Sequence, residues 1–120
     1  MLRVARSPKA HFEHDAEYAD RVYTQEAMQE LADAGFNAVW IRVKGFEVAP
    51  NPKYPQLAED SERLLRNLNL VVERGARCGV KLVIYCQEPL GLSQKDPFWD
   101  EHPEMAGADW GYNYGTAEEP

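Results

Sequence analysis

Two consecutive segments of this chain follow the same plan: an amphipathic helix, a glycine, and a strand rich in apolar residues. Thr24 is a favourable N-cap residue. After it, Ala27, Met28, Leu31 and Ala32 recur at helical spacing until Gly35, so a helix is expected over 25–34. The following stretch, 36–43, is rich in β-branched and aromatic residues and reads as a strand. The second copy begins with Asp60 or Ser61 as a cap. Leu64, Leu65, Leu68, Val71, Val72 and Ala76 form its apolar face, and Gly79 closes the helix. Residues 80–86 are almost continuously apolar, as in a parallel strand covered on both faces. Strand, crossover helix and parallel strand make a βαβ unit.

The rest of the chain is less regular. Leu2–Ala5 can form a short first strand, and 9–23 reads as a polar loop with at most a helical turn. Residues 44–59 hold Gly45, Pro50, Pro52 and Pro55, which disfavour both helix and central strand, and so predict a long loop. Asp96-Pro97 reads as a helix start, with a short helix over 97–102. The segment 106–120 is expected to be an irregular tail.

The chain's 120 residues match one domain, taken as 1–120 with a core over 24–89. A hydrophobic content of 44% suffices for that core. The net charge of −7, with 13 scattered Lys and Arg against 20 Asp and Glu, argues against nucleic acid or an anionic membrane as partner. No apolar run approaches the roughly 18 residues a membrane span needs. The N-terminus lacks the apolar stretch of a secretory signal, leaving the cytoplasm as the default expectation. Two cysteines, Cys78 and Cys86, make no disulfide framework and are expected to be small buried hydrophobes. GxGxxG, Walker A and GxSxG patterns are absent, so nucleotide binding and a serine-hydrolase elbow have no support.

The phrases LADAGFNAVWIRV and VVERGARCGVKLVIYCQEP resemble the second and third strand regions of (β/α)8-barrel glycoside hydrolases. The stretch EPLGLSQKDPFWDEHPEM resembles the loop after strand three in bacterial proteins related to β-N-acetylhexosaminidases. The likeness spans roughly 24–105. It implies an α/β fold, a partial TIM-type (β/α) barrel with about three parallel strands and covering helices. A complete barrel takes about 250 residues, so the chain corresponds to its N-terminal portion. In such enzymes the paired catalytic carboxylates follow strand four, a region with no counterpart here.

The active face of a barrel is the carboxyl end of its strands. Arg6 and Ser7 after the first strand, Arg42 and Lys44 after the second, and Gln87 and Glu88 after the third are placed there. Phe46, Trp99 and Trp110 could offer flat faces to sugar rings. Arg6, Arg42, Gln87, Glu88 and Trp99 are therefore the expected substrate-binding residues. Glu88 is the one weak catalytic candidate, since Gln87-Glu88-Pro89 is like the Asn-Glu-Pro motif of barrel glycosidases. Glycoside hydrolysis needs two carboxylates at a fixed separation. Asp15, Glu47, Glu88 and Asp96 are the acids near that face, and sequence alone does not pair them. His11 and His14 with Asp15 or Glu17 have metal-ligand types, but lack the spacing of a helical site, so no metal and no cofactor are expected. His102 is read as a cap or packing residue, and Trp40 as core. The rival to a hydrolase portion is a non-catalytic carbohydrate-binding module, or one that associates with its own copies through open sheet edges.

Overall fold

The computed structural model describes residues 1–6, 15–86 and 96–105. The chain divides into two compact units, Met1–Cys86 and Gln87–Pro120, each taken by itself.

The first unit is a parallel three-stranded sheet in the order β1-β2-β3, with β1 at Val4–Ala5, β2 at Ala38–Val43 and β3 at Lys81–Cys86. Between β1 and β2 lie α1 (Asp15–Val22) and α2 (Gln25–Asp33). Between β2 and β3 lie a one-turn helix α3 (Gly45–Val48), a 3-10 turn (Pro55–Ala58) and the long helix α4 (Ser61–Ala76). The α/β class and the parallel pairing are as the sequence predicts.

Alternation decides the layers. Val39, Ile41 and Val43 of β2 point to one face and are almost wholly buried. There they join Ala16, Ala19 and Tyr23 of the α1 segment, Met28 of α2, and Leu64, Leu68 and Val71 of α4. Trp40 and Arg42 point to the opposite face.

Both helices hand over to their strands through the same turn. Gly35 has φ +94° and Gly79 has φ +74°, the left-handed region that glycine enters without a Cβ penalty. At the first turn Gly35 N–H donates to the Ala32 carbonyl and Phe36 N–H to the Leu31 carbonyl, both at 3.0 Å. At the second, Val80 N–H donates to the Gly75 carbonyl at 2.9 Å. Asn37 then ties the strands together. Its Oδ1 accepts from Arg3 N–H (2.6 Å), its Nδ2 donates to the Met1 carbonyl (3.0 Å), and its own carbonyl accepts from Lys81 N–H (2.9 Å).

Several expectations are corrected. The segment 9–23 contains a regular eight-residue helix from Asp15, not a loop. Its Ala16, Ala19 and Tyr23 recur at helical spacing and bury, and Asp15 and Glu17 favour its N-terminal dipole. Arg74 fastens its far end, donating to the carbonyls of Asp20 (2.7 Å) and Tyr23 (3.0 Å). The proline-rich 44–59 segment carries a helical turn and a 3-10 turn, with Pro55 at the start of the latter, where its missing N–H costs nothing.

The apolar face of α4 is narrower than its apolar residues suggest. Leu64, Leu68, Val71 and Gly75 face the sheet, whereas Leu65 (42%) and Val72 (48%) are exposed, as is Ala76. β3 is not covered on both sides: as an edge strand it leaves Ile84, Tyr85 and Cys86 exposed. That also corrects the burial expected of Cys86, while Cys78 is half-buried; both are free thiols.

In the second unit, α5 (Phe98–Glu101) starts where Asp96 Oδ1 accepts from Phe98 N–H at 2.9 Å. A 3-10 turn follows at Pro103–Met105.

Candidate functional site

The residue after β1, the middle of β2 and the carboxyl-terminal half of β3 place a row of side chains on the sheet face away from the helices. Strand register puts Val4 beside Ala38 and Ala5 beside Val39, so Arg6 comes level with Trp40. The Arg6 guanidinium carbon lies 4.7 Å from the Trp40 ring centroid, a cation-π distance. The Trp40 ring meets Tyr85 of β3 at 5.4 Å between centroids and 59° between planes. Guanidinium, indole and phenol thus follow one another across three strands. Trp40 is half-buried and Tyr85 is 44% exposed, so the row presents aromatic surface to solvent.

Asp15 anchors this row. It is the first residue of α1 and is buried, with its carboxylate held by two donors. Arg6 pairs with Oδ1 at 2.5 Å, and Arg42 backbone N–H donates to Oδ2 at 2.7 Å. A buried carboxylate is tolerated only with such charge-assisted partners. The carboxylate fixes Arg6, and Arg6 in turn lies over Trp40. Asp15 is thus a positioning residue within the described set, and its two oxygens are already committed.

Among the expected substrate-binding residues, Arg6 and Arg42 are brought together around Asp15. Arg42 lies inside β2, not after it, and its side chain is buried. Gln87 and Glu88 lie outside the described residues, as do Ser7, His11, His14 and Trp110. Trp99 belongs to the second unit, where Phe98 packs edge-on against it at 5.3 Å and on His102 at 4.8 Å. Lys44 pairs with Glu47 at 3.8 Å, and Phe46 is half-buried on α3. Sequence reasoning missed Tyr85, hidden within an apolar run, and took Trp40 for core. Tyr85 was within reach: parallel register with β2 sets residues of the two strands side by side.

A separate cleft of about 130 Å³ is lined by Glu17, Glu47, Glu59, Asp60 and Arg63. Arg63 bridges Glu17 (2.7 Å) and Asp60 (3.3 Å). The hydrogen bond with Glu17, opposed by desolvation and helped by both carboxylate charges, raises the Arg63 pKa above its ordinary value. The cleft's one arginine is therefore engaged in joining α1 to α4. Among the described residues no group of three His, Cys, Asp or Glu could hold a metal ion, and no helix is long and apolar enough to cross a membrane.

Compared with family models, curated proteins and solved structures, the chain matches none.

Proposed function

We propose that this chain is the N-terminal part of a glycoside-hydrolase-like barrel and contributes carbohydrate-binding residues to it, the substrate being a glycoside of the N-acetylhexosamine type. The observation that carries the reading is the Arg6–Trp40–Tyr85 row across three adjacent parallel strands, with Arg6 following β1, Trp40 in the middle of β2 and Tyr85 next to the carboxyl end of β3. Sugars present an axial C–H face that stacks on aromatic rings, and hydroxyls that accept from guanidinium donors. Ligands of parallel α/β sheets gather at the strands' carboxyl ends. A doubly wound nucleotide-binding sheet begins with similar units, but the glycine-rich loop it would need is absent. In this reading Trp40 and Tyr85 stack on the sugar, Arg6 orients a hydroxyl or acyl oxygen, and Asp15 holds Arg6 in place. Bond cleavage is left to carboxylates beyond this face, with Glu88 the weak candidate within the chain.

The test is a fluorescence titration of the chain with N-acetylglucosamine oligosaccharides and cello-oligosaccharides. A saturable change in tryptophan emission that is lost in Trp40→Phe and weakened at least tenfold in Tyr85→Ala is expected. A change retained in Trp40→Phe would move binding to the other tryptophans, and no response to any sugar would overturn the reading.

A further inference from the structure

Trp40 and Tyr85 stand side by side but do not share a plane. Their ring centroids are 5.4 Å apart and their planes meet at 59°. Strand register accounts for the offset. Trp40 is opposite Val83 and Arg42 is opposite Tyr85, so Tyr85 stands one same-face position nearer the carboxyl end than Trp40. The guanidinium carbon of Arg6, held by Asp15, lies over the indole at 4.7 Å from its centroid. The two positions therefore differ in chemistry. Trp40 offers an indole beside a guanidinium, and Tyr85 offers a phenol that is 44% exposed. The line joining them runs obliquely across the strands, from the β1 side toward the carboxyl end of β3.

We infer that the row reads two linked sugar units, one on each ring, and so selects an oligosaccharide over a monosaccharide. The inference rests on the carbohydrate reading above; it adds the length of the ligand and the ring that each unit meets. A pyranose stacks by laying its C–H face nearly parallel to an aromatic plane. A single unit lying flat on Trp40 is inclined by 59° to Tyr85, so it does not lie flat on both. Two units joined by a glycosidic oxygen do, because rotation about the two bonds of that oxygen tilts one ring against the next. The first unit, on Trp40, is the one beside Arg6, so it carries the acyl or hydroxyl oxygen that the guanidinium orients. The second unit, on Tyr85, adds apolar contact and fixes the direction of the sugar chain across β2 and β3. Linkage makes the second contact intramolecular, so it multiplies the affinity given by the first. A flat polycyclic ligand, its rings held in one plane, would satisfy only one of the two positions.

The test is an NMR titration of the whole chain, read at the backbone amides and the Trp40 indole N–H, with N-acetylglucosamine, glucose and the β-linked dimer of each. In the series that binds, the dimer is expected to bind at least tenfold more tightly than its monosaccharide, and both should shift the Trp40 signal. Tyr85→Ala should bring the dimer down to the affinity of the monosaccharide, and leave the monosaccharide within about twofold of its affinity for the parent chain. Tyr18→Ala, on α1 at the helix side of the sheet, should change neither. Circular dichroism verifies that both variants are folded, and the comparison of monosaccharide with dimer on the parent chain needs no variant. A monosaccharide that binds as tightly as its dimer would overturn the proposal and leave the carbohydrate reading standing. An equal loss for both ligands in Tyr85→Ala would overturn it in the same way, since one unit would then touch both rings. No response to any of the four sugars would overturn the proposal and the carbohydrate reading together.

Discussion

Gly75→Ala tests the packing of α4 on the sheet with an unusual sign. In an exposed helix interior this substitution stabilises by about 1 kcal/mol, because alanine loses less entropy than glycine on folding. Gly75 lies in the last turn of α4 and is buried. A Cβ there would overlap the Val80 carbonyl oxygen, and would approach Met28 Cε to 3.0 Å and the Val80 carbonyl carbon to 3.2 Å. The methionine can rotate away. The Val80 backbone cannot, because it leads directly into β3 and its own N–H is bonded to the Gly75 carbonyl. Overpacking against rigid neighbours costs about 3 kcal/mol at the upper end of its usual range. Straining the Val80 hydrogen bond adds about 1 kcal/mol. Against the propensity gain of about 1 kcal/mol, the net destabilisation is about 3 kcal/mol. Urea unfolding followed by circular dichroism measures it. Gly35→Ala is the companion: no atom lies within 4 Å of its added Cβ, and only the φ of +94° opposes it. It should cost about 1–2 kcal/mol. A Gly75→Ala chain as stable as the parent, or more so, would refute the close approach of helix and strand.

Further outcomes follow from the same contacts. Asp15→Asn should destabilise by about 2–4 kcal/mol in urea unfolding, since it strips the charge from a buried carboxylate paired with Arg6. Combined with Arg6→Met the loss should be less than additive by about 1–3 kcal/mol, a coupling a double-mutant cycle reads directly. Asn37→Ala removes the clamp across the strands and should cost about 1–2 kcal/mol, with faster amide exchange at Arg3. Leu68→Ala should cost about 2–5 kcal/mol by opening a cavity, whereas exposed Leu65→Ala should stay within about 0.5 kcal/mol.

The long elements were legible because their signals are redundant. α2, β2, α4 and β3 each combine a cap or stop residue with a matching apolar period. α1 escaped because it spans only two turns, and two of its buried residues are alanines, which announce little hydrophobicity. The face of α4 was misjudged for a physical reason. Gly75, buried in the last turn against Val80, has no side chain to mark the contact, and Leu65 and Val72 fall to one side of the face formed by Leu64, Leu68, Val71 and Gly75. At the site, the candidates Arg6 and Arg42 could be proposed from their place near strand ends. Their meeting at Asp15 could not, because it depends on the entry of α1, whose helix was read as a loop.

The two ends of the sheet differ in how much chain they spend. At one end, Gly35 and Gly79 turn helix into strand within a few residues, and Asn37 bonds to both the Met1–Arg3 segment and Lys81 of β3. At the other, 44–60 wanders through two short helical turns before α4 begins. Lengthening the first end would break the clamp; the second is pinned where Val48 packs on the core and Tyr54 and Ala58 are buried, and is exposed throughout only over 49–53. The architecture thus separates a fixed frame from one short stretch, 49–53, that can take insertions without redesigning the fold.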